Sequence, residues 1–172
     1  QAFDGLLPAL QSGKIDLIIA GMTVTDERKK AVDFSESYYT ASQVIIVPAD
    51  NAAIKSFDDL KGKNVGVQIG TTGDTVISEI KEITNTKYNN GSEAVLALTT
   101  QKVDAVVIDN EPAKNFVAKN TGLKVVDTGA VKEDYAIAIA KGNKELLDKV
   151  NTGLKTLKEN GKYDELIAKW CK

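Results

Sequence analysis

Arg28 is the only arginine among the 22 cationic side chains of the sequence; every other is a lysine. A guanidinium presents two parallel N–H donors that match the two oxygens of a carboxylate, and an ammonium cannot do this. Arg28 therefore reads as a carboxylate clamp, with a solvated helix charge as the competing reading. A second segment, Gln68-Ile69-Gly70-Thr71-Thr72-Gly73-Asp74, lies between strand and helix patterns. N–H groups at a helix start suit a small anion, and Gly and Thr let it approach. The Gly-Lys-Ser/Thr ending of a nucleotide-binding loop is absent, and a plain Gly/Thr turn is the alternative. Asp109 ends an apolar strand pattern just before Glu111-Pro112. A carboxylate there suits an ammonium group, or else caps the helix that follows. Arginine plus N–H groups for a carboxylate, and one aspartate for an ammonium, together describe the zwitterion of an α-amino acid.

Composition narrows the alternatives. The chain has no histidine and one cysteine, Cys171. The commonest general base and metal ligand are thus missing, no zinc cluster can form, and no cofactor or metal is expected. The net charge is −2 with lysines and acids interspersed, which argues against a nucleic-acid partner. Apolar runs such as Leu17 to Ala20 and Gln43 to Val47 are strand-sized, far short of a membrane span. The start, Gln1-Ala2-Phe3, lacks an initiator Met and the features of a signal peptide, so the chain reads as processed or cut.

The elements that must position these residues alternate strand and helix, which predicts an α/β fold. Helix patterns cover Asp4 to Ser12, Asp26 to Val32, Phe57 to Leu60, Thr72 to Ile83, Ser92 to Thr100, Glu111 to Asn120, Lys144 to Glu159 and Lys162 to Trp170. Strand patterns cover Asp16 to Ala20, Gln43 to Val47, Asn64 to Gln68, Asp104 to Ile108, Leu123 to Val126 and Tyr135 to Ala140. Ser56 and Thr25 are placed to cap helices, Gly122 to end one, and Gly161 to separate the last two. Asp16 to Ala20 and Asp104 to Ile108 both read as strands buried on two faces, of parallel-sheet character. Ala9, Leu10, Lys14 and Asp16 also match Ala97, Leu98, Lys102 and Asp104 at one constant offset. That echo predicts two similar lobes, unless any two helix–turn–strand units look this alike. In such sheets ligands sit beyond the carboxyl ends of strands, here Ala20-Gly21 and Ile108-Asp109.

Phe3-Asp4-Gly5-Leu6-Leu7-Pro8-Ala9-Leu10, Ala20-Gly21-Met22-Thr23-Val24-Thr25-Asp26-Glu27-Arg28 and Val32-Asp33-Phe34-Ser35 with Tyr38-Tyr39 form an ordered series of motifs. Asp58 to Lys63, Gly70 to Gly73, Val103 to Asp109, Gly161 to Asp164 and Lys169-Trp170 continue it. The series resembles the polar amino-acid-binding proteins of bacterial ABC importers, over essentially the whole chain. The resemblance implies a two-lobed type II periplasmic-binding fold that closes on a free L-amino acid and delivers it to a membrane permease. One lobe would comprise residues 1–40 and 136–172, the other 41–135, with hinges near Tyr38 to Ser42 and Glu133 to Ile137. It implies that Phe3 packs on the ligand side chain and that Ala20, Gly21 and Thr23 bind its α-amino and α-carboxylate groups. Arg28 would clamp the carboxylate, helped by Thr71 and Thr72. Gln68 would face the side-chain pocket and Asp109 would meet the α-ammonium. Neutral Gln68 favours glutamine or a basic amino acid over an aliphatic one.

The family's opening strand, helix and strand have no counterpart before Phe3, so the first lobe is expected to be incomplete, and either the missing segment lies outside this sequence or the fragment pairs with a second copy as a homodimer. An extracytoplasmic, lipid-anchored precursor is expected. A receptor sensor domain and a dehydratase-like enzyme on the same scaffold are the alternative functions, the latter disfavoured by the lack of histidine.

Overall fold

Four consecutive apolar residues, Val44 to Val47, can be buried together only if both faces of their strand are covered. In the computed structural model, which describes residues 1–129 and 132–171, all four are 0% exposed. The elements in chain order are α1 (Leu6–Gln11), β1 (Leu17–Ile18), α2 (Asp26–Ala31), β2 (Val32–Pro48), β3 (Asn64–Gln68), α3 (Thr72–Glu79) and β4 (Thr84–Tyr88). They continue with α4 (Gly91–Thr99), β5 (Ala105–Asp109), α5 (Asn110–Lys119), β6 (Leu123–Val126), β7 (Lys132–Ala140), α6 (Lys144–Glu159) and α7 (Lys162–Trp170). Short 3-10 turns occupy Phe3–Gly5 and Asp58–Leu60. The chain divides into two compact units, Gln1–Asp4 with Ala41–Lys132, and Gly5–Thr40 with Glu133–Lys172.

The unit containing Ala41–Lys132 is built on strands ordered β6–β2–β5–β3–β4. β2 is antiparallel to both β5 and β6, and β3 is parallel to β5 and β4. Side-chain alternation then sorts the apolar residues onto two faces. Val44, Ile46, Val106 and Ile108 meet Ala94, Val95 and Leu98 of α4 and Ala113 of α5. Ile45, Val47, Ala105 and Val107 meet Ile77 of α3, with Ile54 and Leu60.

Several elements here differ from the sequence expectation. The helix expected to reach Ile83 stops at Glu79, and Thr84–Tyr88 forms the parallel edge strand β4 on β3. Its polar Thr-Asn-Thr-Lys-Tyr composition carries no apolar alternation; pairing with β3 supplies what the pattern lacks. β2 runs 17 residues from Val32, well before the expected Gln43. The helix at Phe57 is only a 3-10 turn, and its start is organised by Asp59, whose carboxylate accepts from the Lys55 and Ser56 N–H groups and the Ser56 hydroxyl.

In the unit containing Gly5–Thr40, β7 lies between β1 and the first part of β2. β1 differs from its expectation in length, partner and burial. It is two residues long, pairs antiparallel with β7 through Leu17↔Ile139 and Ile18↔Ala138, and leaves Ile19 62% exposed. Pairing resumes beyond a bend, where Val24 donates to the Asp134 carbonyl and Ala136 to the Met22 carbonyl. Asp33, early in β2, accepts from Lys141 and from the Gly142 N–H, which together hold its carboxyl below the usual range.

The internal echo has a structural counterpart. Ser12, Gly13 and Lys14 donate to the carbonyls of Pro8, Leu10 and Ala9; Thr100, Gln101 and Lys102 donate to those of Leu96, Leu98 and Ala97. Both turns place a positive φ at the equivalent residue, 71° at Gly13 and 57° at Gln101. Both bury the matched Ala-Leu pair.

Burial also predicts stability. Replacing Ile77, which is 0% exposed, with alanine should destabilise the fold by about 2–5 kcal/mol. Leu96→Ala, at a side chain 62% exposed, should change it by no more than about 0.5 kcal/mol. Urea unfolding of both variants measures the contrast.

Candidate functional site

The candidate residues fall into two groups, one in each unit. In the Ala41–Lys132 unit, Gln68 ends β3 and the chain turns at Gly70, whose φ is 78°. Thr71 caps α3: its hydroxyl oxygen accepts from the Asp74 N–H at 3.3 Å, and the same hydroxyl donates to the Gln68 carbonyl at 2.8 Å. Asp74 reaches back to accept from the Gly70 N–H at 3.1 Å. Three of the N–H groups that the sequence offered to an anion, those of Gly70, Thr71 and Asp74, thus bond within the loop itself. Phe3 is half-buried in its 3-10 turn, and the adjacent Asp4 packs on Gly70, where an added Cβ would lie 2.9 Å from the Asp4 Cβ.

Asp109 stands at the N-cap position of α5 but makes no capping bond. Its carboxylate accepts instead from the Gln43 side-chain amide, which also donates to the Thr72 hydroxyl at 3.2 Å. The structure therefore brings Thr72 and Asp109 together through a residue that the sequence did not single out. Gln43 and Asp109 are directly paired across β2 and β5, and no single strand's pattern reveals such a pairing.

In the Gly5–Thr40 unit, Thr25 caps α2 by accepting from the Arg28 N–H at 3.2 Å, as its position in the sequence suggests. Arg28 is buried at 9% exposure, and its Nη1 donates to the Thr23 carbonyl at 2.8 Å. The Thr23 hydroxyl donates to Glu133 at 2.7 Å. Glu133, itself buried, was legible only as part of an expected hinge. Gly21 adopts φ 60°, and an added Cβ would lie 3.1 Å from the Tyr135 ring, so the close approach that this glycine permits here is to an aromatic ring. The Gly21 N–H donates to the Tyr38 hydroxyl at 3.0 Å. Burial raises the Tyr38 phenol pKa against the lowering effect of that bond, so the phenol stays neutral at physiological pH. Tyr38 and Tyr39 both pack against Tyr135, with ring centroids 6.3 and 5.9 Å away. Ala20 is exposed in the bend after β1. Among the described residues no His, Cys, Asp and Glu group is arranged to hold a metal.

Asp74 is the electrostatic anchor of the Gly70–Thr72 loop. Burial pushes its carboxyl pKa up and is the largest single influence. The Lys87 ammonium at 2.9 Å, the Gly70 N–H and the Asn85 amide together outweigh it and hold the pKa below the usual value. The folded protein therefore binds this proton less readily than the unfolded chain. The stability gained is complete above the unfolded carboxyl pKa of about 3.9 and is lost as pH falls through the lower folded value. Unfolding free energy measured from pH 6 downward should decline through this acid range, and Asp74→Asn should show a shallower decline.

Comparison with known proteins places the chain in a family. The model of the bacterial extracellular solute-binding proteins, family 3, matches residues 1–172. A probable histidine-binding protein of Campylobacter jejuni is 38% identical over 98% of this chain and 66% of its own length. An arginine-binding extracellular protein of Bacillus subtilis, ArtP, is 38% identical over 98% of this chain and 68% of its own. The chain thus spans about two thirds of these curated relatives. The solved structure of an ancestral arginine-binding protein bound to arginine superposes with a TM-score of 0.95 at 48% identity, covering 99% of this chain and 77% of that one. On these matches, this chain belongs to the bacterial extracellular solute-binding proteins, family 3.

Proposed function

We propose that this chain is the extracytoplasmic substrate-binding component of an amino-acid ABC importer and that it binds a free polar or basic L-amino acid. The observation that carries the reading is the state of Arg28: the only arginine of the chain is buried and fixed through Nη1 to the Thr23 carbonyl. Burying a guanidinium is unfavourable unless it meets strong partners, and a ligand carboxylate is the partner its fork geometry matches best. In this reading Gly21, Thr23, Thr71 and Thr72 assist Arg28 at the carboxylate, and Ala20 lines the same end of the ligand. Asp109 meets the α-ammonium. Phe3 and Gln68 face the ligand side chain, and a neutral polar amide suits glutamine or a basic side chain better than an aliphatic one. Relatives named for histidine and arginine support the basic alternative.

The ligand is bound and released unchanged, with no cofactor, and is passed to a membrane permease. Relatives at 38% identity are binding proteins, which supports binding without turnover. The family's extracellular description supports the location, and a lipid anchor on the precursor would hold the protein at the membrane.

A thermal-shift screen of the full chain against the twenty amino acids should give its largest shift with a basic amino acid or glutamine. Arg28→Lys should weaken that ligand by about 2–5 kcal/mol, because one point charge replaces a two-pronged contact. Calorimetric titration measures the loss, and equal affinity in the variant would remove Arg28 from the site.

A further inference from the structure

Gln43 is 0% exposed and polar, and the next four residues of β2 are all buried and apolar. An apolar side chain would fill this position at lower desolvation penalty, so the amide calls for an explanation. Its Nε2 carries two hydrogens, and they go to two candidate ligand residues on different elements, Asp109 at the end of β5 and Thr72 at the start of α3. Helix α3 comes this close because residue 73 is glycine: a Cβ there would lie 2.8 Å from the Gln43 Oε1 and 3.4 Å from Val107.

We propose that Gln43 is a positioning residue for amino-acid recognition, its amide fixing the Asp109 carboxylate and the Thr72 hydroxyl in the orientation that receives the ligand. The inference rests on the assignment of Asp109 to the α-ammonium made above. The residue type follows from that task. A neutral donor orients a carboxylate and leaves its negative charge for the incoming cation. Lysine or arginine at position 43 would pair with Asp109 in place of the ligand, and glutamate would repel it.

A double-mutant cycle on the full chain tests this, using Gln43→Leu, Asp109→Asn and the double variant. Each is titrated calorimetrically with L-arginine, L-histidine and L-glutamine, and the thermal melting of each ligand-free protein is recorded. Loss of a hydrogen bond to a charged group should raise the Kd of Gln43→Leu about 10- to 100-fold. In the double variant the two losses should be clearly less than multiplicative, because the amide's effect on the ammonium passes through the Asp109 carboxylate and only its effect through Thr72 persists. A purely structural role would lower melting and multiply the two losses. Multiplied losses, or wild-type affinity in Gln43→Leu, overturn this inference alone. Wild-type protein that binds none of the three, or Asp109→Asn that binds as wild type does, overturns the amino-acid reading as well. If Gln43→Leu does not fold, Gln43→Met keeps the unbranched shape without the donor and carries the same cycle.

Discussion

The antiparallel register of β2 on β5 is the constraint from which the rest of the Ala41–Lys132 unit follows. Pairing Val44 with Ile108, Ile45 with Val107 and Ile46 with Val106 puts each apolar side chain beside its match on the same face. One face then takes α4 and α5 and the other takes α3. The next pair in that register is Gln43 with Asp109, where the apolar ladder gives way to a hydrogen-bonded polar pair. A slip of one residue would turn every side chain to the opposite face, exchanging the two cores and separating the amide from the carboxylate. Core packing and placement of the charged group are therefore set by the same pairing.

The other unit handles a buried charge differently. Arg28 enters the interior on a six-residue helix whose start is capped by Thr25. It is held by a carbonyl of the segment that itself pairs with residues 134–136. Thr23 serves both ends of this arrangement, receiving Arg28 at its carbonyl and donating from its hydroxyl to the buried Glu133. Polar groups removed from water must find partners, and here the bend from Ala20 to Val24 supplies them. Tyr38, Tyr39 and Tyr135 close the adjacent space against Gly21.

Much of this was legible because the informative features are local. The helix start at Asp26, the last two helices and the strand Asn64–Gln68 follow from caps, glycines and apolar spacing. The echo of Ala9-Leu10 in Ala97-Leu98 marked a turn that recurs bond for bond. What stayed hidden depends on partners distant in sequence. β4 is a strand because β3 lies beside it, despite a polar composition. Ile19 was read as buried on the strength of its apolar neighbours, yet the chain bends away from β7 after Ile18 and leaves it in solvent. Asp109 carried two readings in the sequence, cap or ligand group; it makes no capping bond and accepts from Gln43 instead, a bond that no local pattern announces. Gln43 itself had no local signal beyond being polar at the head of an apolar run.

The central proposal is chemical: that the protein reads both charges of one α-amino acid. The most direct measurement is calorimetric titration with a matched set that differs only at the α-carbon, namely L-arginine, its decarboxylated amine and its deaminated 2-oxo acid, with the corresponding glutamine set alongside. The account predicts binding of the amino acid and a loss of at least about 100-fold for each analogue that lacks one of the two α-charges, since each removes one of the two charged contacts. Comparable affinity for either analogue would contradict it.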